Sequence, residues 1–460
     1  MKHVILALSL MVFGFSCKKE MNPGMLDKEN GKENGKNASD NGNNNTGYIY
    51  TSTNSSAGNA VIALARKRDG SVEELKSSPY PTGDKGDAAE GDFDTQWALR
   101  MVGEYLLVVN AGNNPVNSTI SVFRVNKANG RLDQVDQNPA TAAMDNIDSR
   151  GVRAASIAVK TIAGKTWVVV GNQFANPNYQ GTPAVAFGAI VSTSLRNLAV
   201  FTFDQSRGIL EFKQIGATYT DGSRGGPTTV EFNSTGTKIA VSTWGVPHFM
   251  TPDPDLSLQR PGRLYIYNFS AGNLAQTGVY EKEGVSGNIG FSWSPNDQYI
   301  YLSNFNLHSS VENHSVTVHH GTTAEQVQNF ATAGRNDEGC WTWVSLDKSK
   351  LYVASFGENV ISTFSILGNN LLAKTLDPNF FTRRGNIPPG DTKDMHEAGG
   401  YLYVSGAFQS HTIATFRTSA SGVLTEIAAS PYYVPTSIGK TKEQHAYLGL
   451  TGFDKNSLGN

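Results

Sequence analysis

Hydrophobic and polar residues alternate along this chain in short runs bounded by Gly, Asn, Asp and Ser. Alternation with a period of two predicts strands with one face buried, and no helical period accompanies it. The stretch DKSKLYVASFGENVISTFSI (347–366) shows the unit: a charged turn, Leu-Tyr-Val, a polar gap, then Val-Ile-Ser-Thr-Phe. Aligning on its first strand recovers seven copies: YIYTST (48–53), YLLVVN (105–110), TWVVVG (166–171), KIAVST (238–243), YIYLSN (299–304), KLYVAS (350–355) and YLYVSG (401–406). A second strand also recurs seven times, as AVIAL (60–64), TISVF (119–123), NLAVF (197–201), RLYIY (263–267), SVTVH (315–319), VISTF (360–364) and TIATF (412–416).

Tight turns rich in Gly, Asn and Asp follow most second strands, where hairpins need positive φ. They lead to a third segment such as VEEL, RLDQV, ILEF or VLTEI, and a further apolar run (VEFNSTG, FSWSPND, TWVSLDK) precedes the LYVAS-type strand. Four antiparallel strands in each of seven units predict an all-β fold, a seven-bladed β-propeller. A lone four-stranded sheet leaves both faces wet, whereas seven set radially cover each other and keep only short edges. The first unit has no leading strand of its own, because a polar segment stands before Tyr48. The C-terminal HAYLGLTGF (445–453) is expected to fill that place and close the ring.

The N-terminus changes the picture at one end. MKHVILALSLMVFGFSC has a basic start, an apolar run and a cysteine, then turns abruptly polar. The run is too short to span a bilayer comfortably, so a cleaved signal over 1–16 is expected, resembling that of bacterial lipoproteins with Cys17 as the lipidated residue. An ordinary secretory signal is the alternative. Residues 17–46 are dominated by Asn, Gly, Lys and Asp and read as a flexible tether, leaving 47–460 for the propeller. The chain is therefore expected outside the cytoplasm, held on a bacterial membrane by its lipid. With Cys17 acylated, Cys340 is left as a lone thiol.

Composition excludes some partners. The 38 Lys and Arg nearly balance 40 Asp and Glu, for a formal charge of −2, which gives no footprint for nucleic acid. The histidines are scattered, no metal-ligand spacing stands out, and no phosphate loop, Gly-x-Ser-x-Gly elbow or haem-attachment pattern occurs. No cofactor or metal is expected, and a monomer is expected.

Antiparallel connectivity puts the connection that follows each LYVAS-type strand, and the blade-to-blade connections, on one face. That face takes the long segments 172–196, 244–262 and 304–314, while the opposite face has tight turns. Long loops on a rigid scaffold mark the binding side. At the exit of the LYVAS-type strand, on the same face, stand Trp244, Phe305, Phe356 and Phe408, with Phe174 as a fifth candidate. They form either a rim for a ring-shaped ligand or packing between blades. Near the starts of inner strands come Arg150 and Arg153, Asp337 and Glu338, Lys393, Asp394 and His396, and Lys442, Glu443 and His445. Arg153, Glu338 and His396 are the candidate catalytic set, since an Arg, a carboxylate and a His at one mouth suit proton abstraction or lactone hydrolysis. His248 with Asp253 and Asp255 lacks paired metal-ligand spacing and reads as a solvated loop.

The stretches YIYTSTNSSAGNAVIALARKRDGSVEEL, GGPTTVEFNSTGTKIAVSTWG, SWSPNDQYIYLSN and SSPYPTG resemble the lactonase-like seven-bladed propellers, which include propeller-type 6-phosphogluconolactonases and carboxy-cis,cis-muconate cyclases. The resemblance covers 47–453 and implies a small sugar acid or lactone as ligand. Typical members read Gly-Pro-Arg-His before the fourth-blade strand and Asn-Glu at its exit. Here Gly226-Pro227-Thr228-Thr229 and Thr243-Trp244 stand instead, so those Arg, His and Glu roles have no matching residues. Two functions follow as expectations: a membrane-tethered lactonase or cycloisomerase, or a non-catalytic surface propeller binding glycan or protein through its long loops and aromatic rim.

Overall fold

The seven LYVAS-type strands become the second strands of seven antiparallel sheets: Asn45–Ser52, Tyr105–Asn110, Lys165–Asn172, Lys238–Thr243, Tyr299–Phe305, Lys350–Ser355 and Tyr401–Gly406. The computed structural model describes residues 45–88, 94–112, 117–173, 196–219, 225–245, 260–285, 287–305, 313–332, 339–376, 380–385 and 387–455. Blade 1 is inner Leu448–Asp454, then Asn45–Ser52, Ala60–Lys67 and Val72–Glu74. The last strand of the chain thus pairs with the first, with Tyr48 opposite Phe453.

The other inner strands are Leu99–Val102, Ala154–Ile162, Pro227–Phe232, Gly287–Trp293, Gly339–Val344 and Thr392–Ala398, for blades 2 to 7. Each meets the inner strand of the next blade, and that of blade 1 closes the circle between blades 7 and 2. In blades 1, 2, 6 and 7 the outer strand is broken, and a second short piece pairs with the same third strand. The Ser-Pro-Tyr segments of blades 1 and 7 make equivalent breaks, with Ser78 and Ser430 each donating to a glutamate four residues earlier, Glu74 and Glu426.

Burial follows from position in the blade. Tyr105–Asn110 is buried throughout, because both faces of a second strand are covered by neighbouring blades. The outer strand Asn273–Glu281 alternates between half-buried and exposed. The apolar clusters lie between blades, as where Val230 and Phe232 of blade 4 meet Trp167 and Val169 of blade 3. Each fully buried Val, Leu or Ile contributes roughly 1.5–3 kcal/mol, so the blade-to-blade seams hold the ring.

One irregularity shapes the channel. Six of the seven inner strands carry a β-bulge near their first residues, the exception being blade 2. Bulges free backbone groups at a strand's end. The serine that recurs in the LYVAS-type strand helps satisfy them: Ser52 donates to the Leu448 carbonyl at 3.1 Å, Ser303 to Gly290 at 2.8 Å and Ser405 to Asp394 at 3.3 Å.

Candidate functional site

We call the end where inner strands start the upper end; the loop-rich connections lie there. Four aromatics from four successive blades meet around it. Trp244 and Phe305 have ring centroids 6.4 Å apart, Phe305 and Phe356 6.5 Å, and Phe356 and Phe408 5.9 Å. The expected rim is therefore a continuous arc, graded in exposure. Trp244 is fully buried and Phe305 nearly so, which makes them packing between blades, while Phe356 and Phe408 are half-buried and reach solvent.

Behind the arc sits a cation. The Lys393 ammonium lies 5.4 Å from each of the Trp341, Phe356 and Phe408 ring centres, and 3.8 Å from the Asp94 carboxylate. Ring faces carry negative potential, so a desolvated ammonium is held there favourably. In front, the exposed Lys442 places a second ammonium 5.0 Å over Phe408. Next to Lys393, Asp394 turns toward blade 1 and accepts the Gly449 N–H at 2.9 Å. Burial pushes its carboxyl up to about 7, which the Gly449 N–H and Lys393 only partly oppose.

The channel itself is occupied. Where blade 2 lacks a bulge, residues 94–97 run down the axis as a strap against other blades' inner strands. Thr95 donates to the carbonyls of Ala155 and Thr228 on blades 3 and 4, and the Trp341 indole of blade 6 donates to Thr95 at 2.7 Å. Gln96 acts as a substitute strand for the free edge of blade 6: its amide donates to the Thr342 carbonyl at 2.8 Å and accepts the Thr342 N–H at 3.1 Å. An inner strand presents an unpaired edge to the axis, and these bonds satisfy part of it.

Of the three expected catalytic residues, the described residues include Arg153 and His396, and these two stand at different heights on the axis. Arg153 lies at the upper end of blade 3, but it is buried and ion-paired with Asp87 at 2.8 Å, so it anchors the segment entering the channel. His396 is four residues into the blade 7 strand, which at roughly 3.3 Å per residue puts it about 13 Å below the upper end. There its imidazole packs edge-on to Trp343 at 5.3 Å, and burial and the nearby Arg66 push its pKa down to about 3. Both residues lie near a strand's start in sequence, but Arg153 precedes its strand and His396 is four residues into its own, which separates them along the axis. Glu338, Asp337, Phe174, Cys17 and the 248–255 loop group lie outside the described residues; Glu338 directly precedes Gly339, where the blade 6 inner strand starts. Cys340 is buried and in no disulfide among the described residues.

Solved structures share this architecture. The periplasmic gluconolactonase of Pseudomonas aeruginosa superposes with a TM-score of 0.58 at 14% identity, covering 88% of this chain and 98% of that one. A provisionally assigned 6-phosphogluconolactonase from Bacteroides fragilis gives 0.58 at 14%, over 91% and 100%, and a protein from Lactobacillus plantarum 0.59 at 13%, over 89% and 100%. The fold is that of the lactonase-like seven-bladed propellers. No family model and no curated protein sequence matches the chain. Among the described residues no helix is long and apolar enough to cross a membrane, and no group of three or more His, Cys, Asp or Glu could hold a metal ion.

Sequence reasoning missed the strap, and it named Lys393 among the candidate charged groups without placing it in the catalytic set. The signal for the first was local: DTQWALR places Asp, Thr and Gln where other units carry an apolar run, before an inner strand shortened to Leu99–Val102.

Proposed function

We propose that this protein is an extracytoplasmic, lipid-tethered lactonase-like propeller whose upper mouth takes a small sugar acid or its lactone. The observation that carries this reading is the aromatic arc closing on the Lys393 ammonium. The half-buried faces of Phe356 and Phe408 suit the C–H face of a sugar ring, and Lys442 in front with Lys393 behind favours a carboxylate or a developing oxyanion. Hydrolysis adds water to the lactone carbonyl, breaks the ring C–O bond and passes the water's proton to the leaving oxygen. Glu338, beside the start of the blade 6 strand, is our candidate base. The Pseudomonas neighbour is described as a periplasmic gluconolactonase, which supports both the ligand class and the compartment.

The test is a panel of aldonolactones with the purified chain and its Glu338→Gln and Phe356→Ala variants. Turnover reduced 100-fold or more by Glu338→Gln, with KM raised by Phe356→Ala, supports the enzyme. A second reading, a non-catalytic propeller binding glycan or protein, is favoured by two observations: Arg153 is engaged by Asp87, and His396 is remote from the mouth. No turnover of any lactone, with saturable sugar-acid binding lost in Phe356→Ala, decides for a binder. Turnover untouched by both substitutions overturns the upper mouth as the site.

A further inference from the structure

Below the strap the channel is a different place. Gln96 and Trp97 form its ceiling, and the lower ends of the inner strands form its walls. Trp97 adopts a left-handed backbone, φ 68°, uncommon for a bulky residue, and its carbonyl accepts the Ile157 N–H at 2.9 Å. This turn sends the indole down the axis, where its ring lies 5.5 Å from that of Trp343 on blade 6. The Arg100 guanidinium of blade 2 stacks on Trp97 at 4.3 Å and is ion-paired across the channel to Glu231 of blade 4. Both tryptophans are partly exposed, as are Arg100 and Glu231 at 18% and 16%. With the strap buried above them, that exposure faces the lower opening. Strained backbone is retained where the surroundings over-determine it, and such positions cluster at ligand sites.

Two buried groups have spare hydrogen-bonding capacity. The Trp97 indole N–H and both ring nitrogens of His396 have no protein partner. Buried polar atoms are nearly always paired, and orphans gathered at one vestibule point to a missing partner. The chemistry of the walls says which kind. Arg100 is neutralised by Glu231, burial raises the Glu231 carboxyl above its ordinary range, and His396 is uncharged. Glu397, which hydrogen-bonds Trp343, likewise has its charged form disfavoured by burial, in contrast to the exposed Lys442 of the upper mouth. Indole faces with hydrogen-bonding groups around them fit a neutral ring with an apolar face and hydroxyl edges.

We propose that the lower vestibule is a second ligand site, separate from the upper mouth, that holds a neutral saccharide ring against Trp97 and Trp343. The strap isolates it, so the two sites are entered from opposite faces. The inference does not depend on the upper mouth being catalytic.

The test uses cellobiose and maltose as probes with the purified chain, read by hydroxyl-radical footprinting with mass spectrometry and by fluorescence titration. Saturating sugar should protect Trp97 and Trp343 at least threefold, with Trp244 and Trp341 unchanged. Trp343→Leu should weaken binding tenfold or more, while Phe356→Ala at the upper arc should leave it within twofold. If Trp343→Leu does not fold, the footprint of the unaltered chain decides. Absence of saturable binding by either sugar overturns the proposal, as does protection confined to the upper tryptophans or binding lost in Phe356→Ala alone.

Discussion

The two ends of the channel are built from the same repeated strand and differ in almost every chemical respect. The upper end has bulged strands, long connections, an aromatic arc and two ammonium groups. The lower end has tight turns, regular pairing, two tryptophans and the Arg100–Glu231 ion pair. The contrast shows how a propeller holds two environments on one axis: the blade repeat fixes the scaffold, and the residues at each end of the inner strands set the chemistry. The strap runs between them, bonded to blades 3, 4 and 6.

Removing the seam should erase both ends together. Deleting residues 443–460 takes away the inner strand of blade 1 and exposes the flanks of blades 7 and 2, and we expect loss of soluble folded protein. A truncated chain that melts like the intact one would show that the ring does not depend on this closure.

The next effect is confined to the upper end. Asp87→Ala leaves the Arg153 guanidinium buried beside a missing carboxylate, and breaking such a pair costs about 3 kcal/mol. Urea melts should show that loss, whereas an Arg153 used mainly for catalysis would lose turnover with little change in stability. Between the ends, Gln96→Ala orphans the Thr342 N–H and carbonyl and should cost about 2 kcal/mol. It should also loosen Trp97, read as a red shift in tryptophan emission; unchanged stability would mean that water replaces the amide and that the strap is no barrier.

The smallest effect separates the ends by sign. Asp394, near the upper end, has its carboxyl raised to about 7 from an ordinary 3.8, so its stabilising contribution is complete below about pH 4 and is lost as pH rises to 7. His396, near the lower end, has its imidazole depressed to about 3 from 6.5, so its contribution is complete above pH 6.5 and is lost as pH falls toward 3. The two slopes oppose each other in the native chain. Asp394→Asn should be more stable than native at pH 8, with the gain fading toward pH 4. His396→Leu should gain on the native chain as pH falls below 6. Parallel pH profiles for both variants would contradict the assigned burials.

The sequence made the scaffold legible because a period-two pattern repeated seven times leaves few other ways to bury Leu351, Val353 and their equivalents. Ring closure by Leu448–Asp454 was legible for the same reason, as a missing strand needs a donor. The aromatic arc was legible because Trp244, Phe305 and Phe356 directly follow the LYVAS-type strand and Phe408 lies one residue further on, and repeat position fixes height on the axis. Arg153 and His396 were misjudged where that logic was loosened: lying near a strand's start is not the same height when one residue precedes the strand and the other is deep within it. The strap was hidden because Asp94, Thr95, Gln96 and Trp97 break the repeat. Their partners at Ala155, Thr228 and Thr342 are set by the closed ring, which local pattern cannot supply.

The most direct measurement of the central claim is a diffraction map from crystals soaked in D-gluconate. The account predicts density above the strap, stacked on Phe356 and Phe408 with its carboxylate toward Lys442. An empty upper mouth with gluconate bound below the strap or on the outer blades would contradict it.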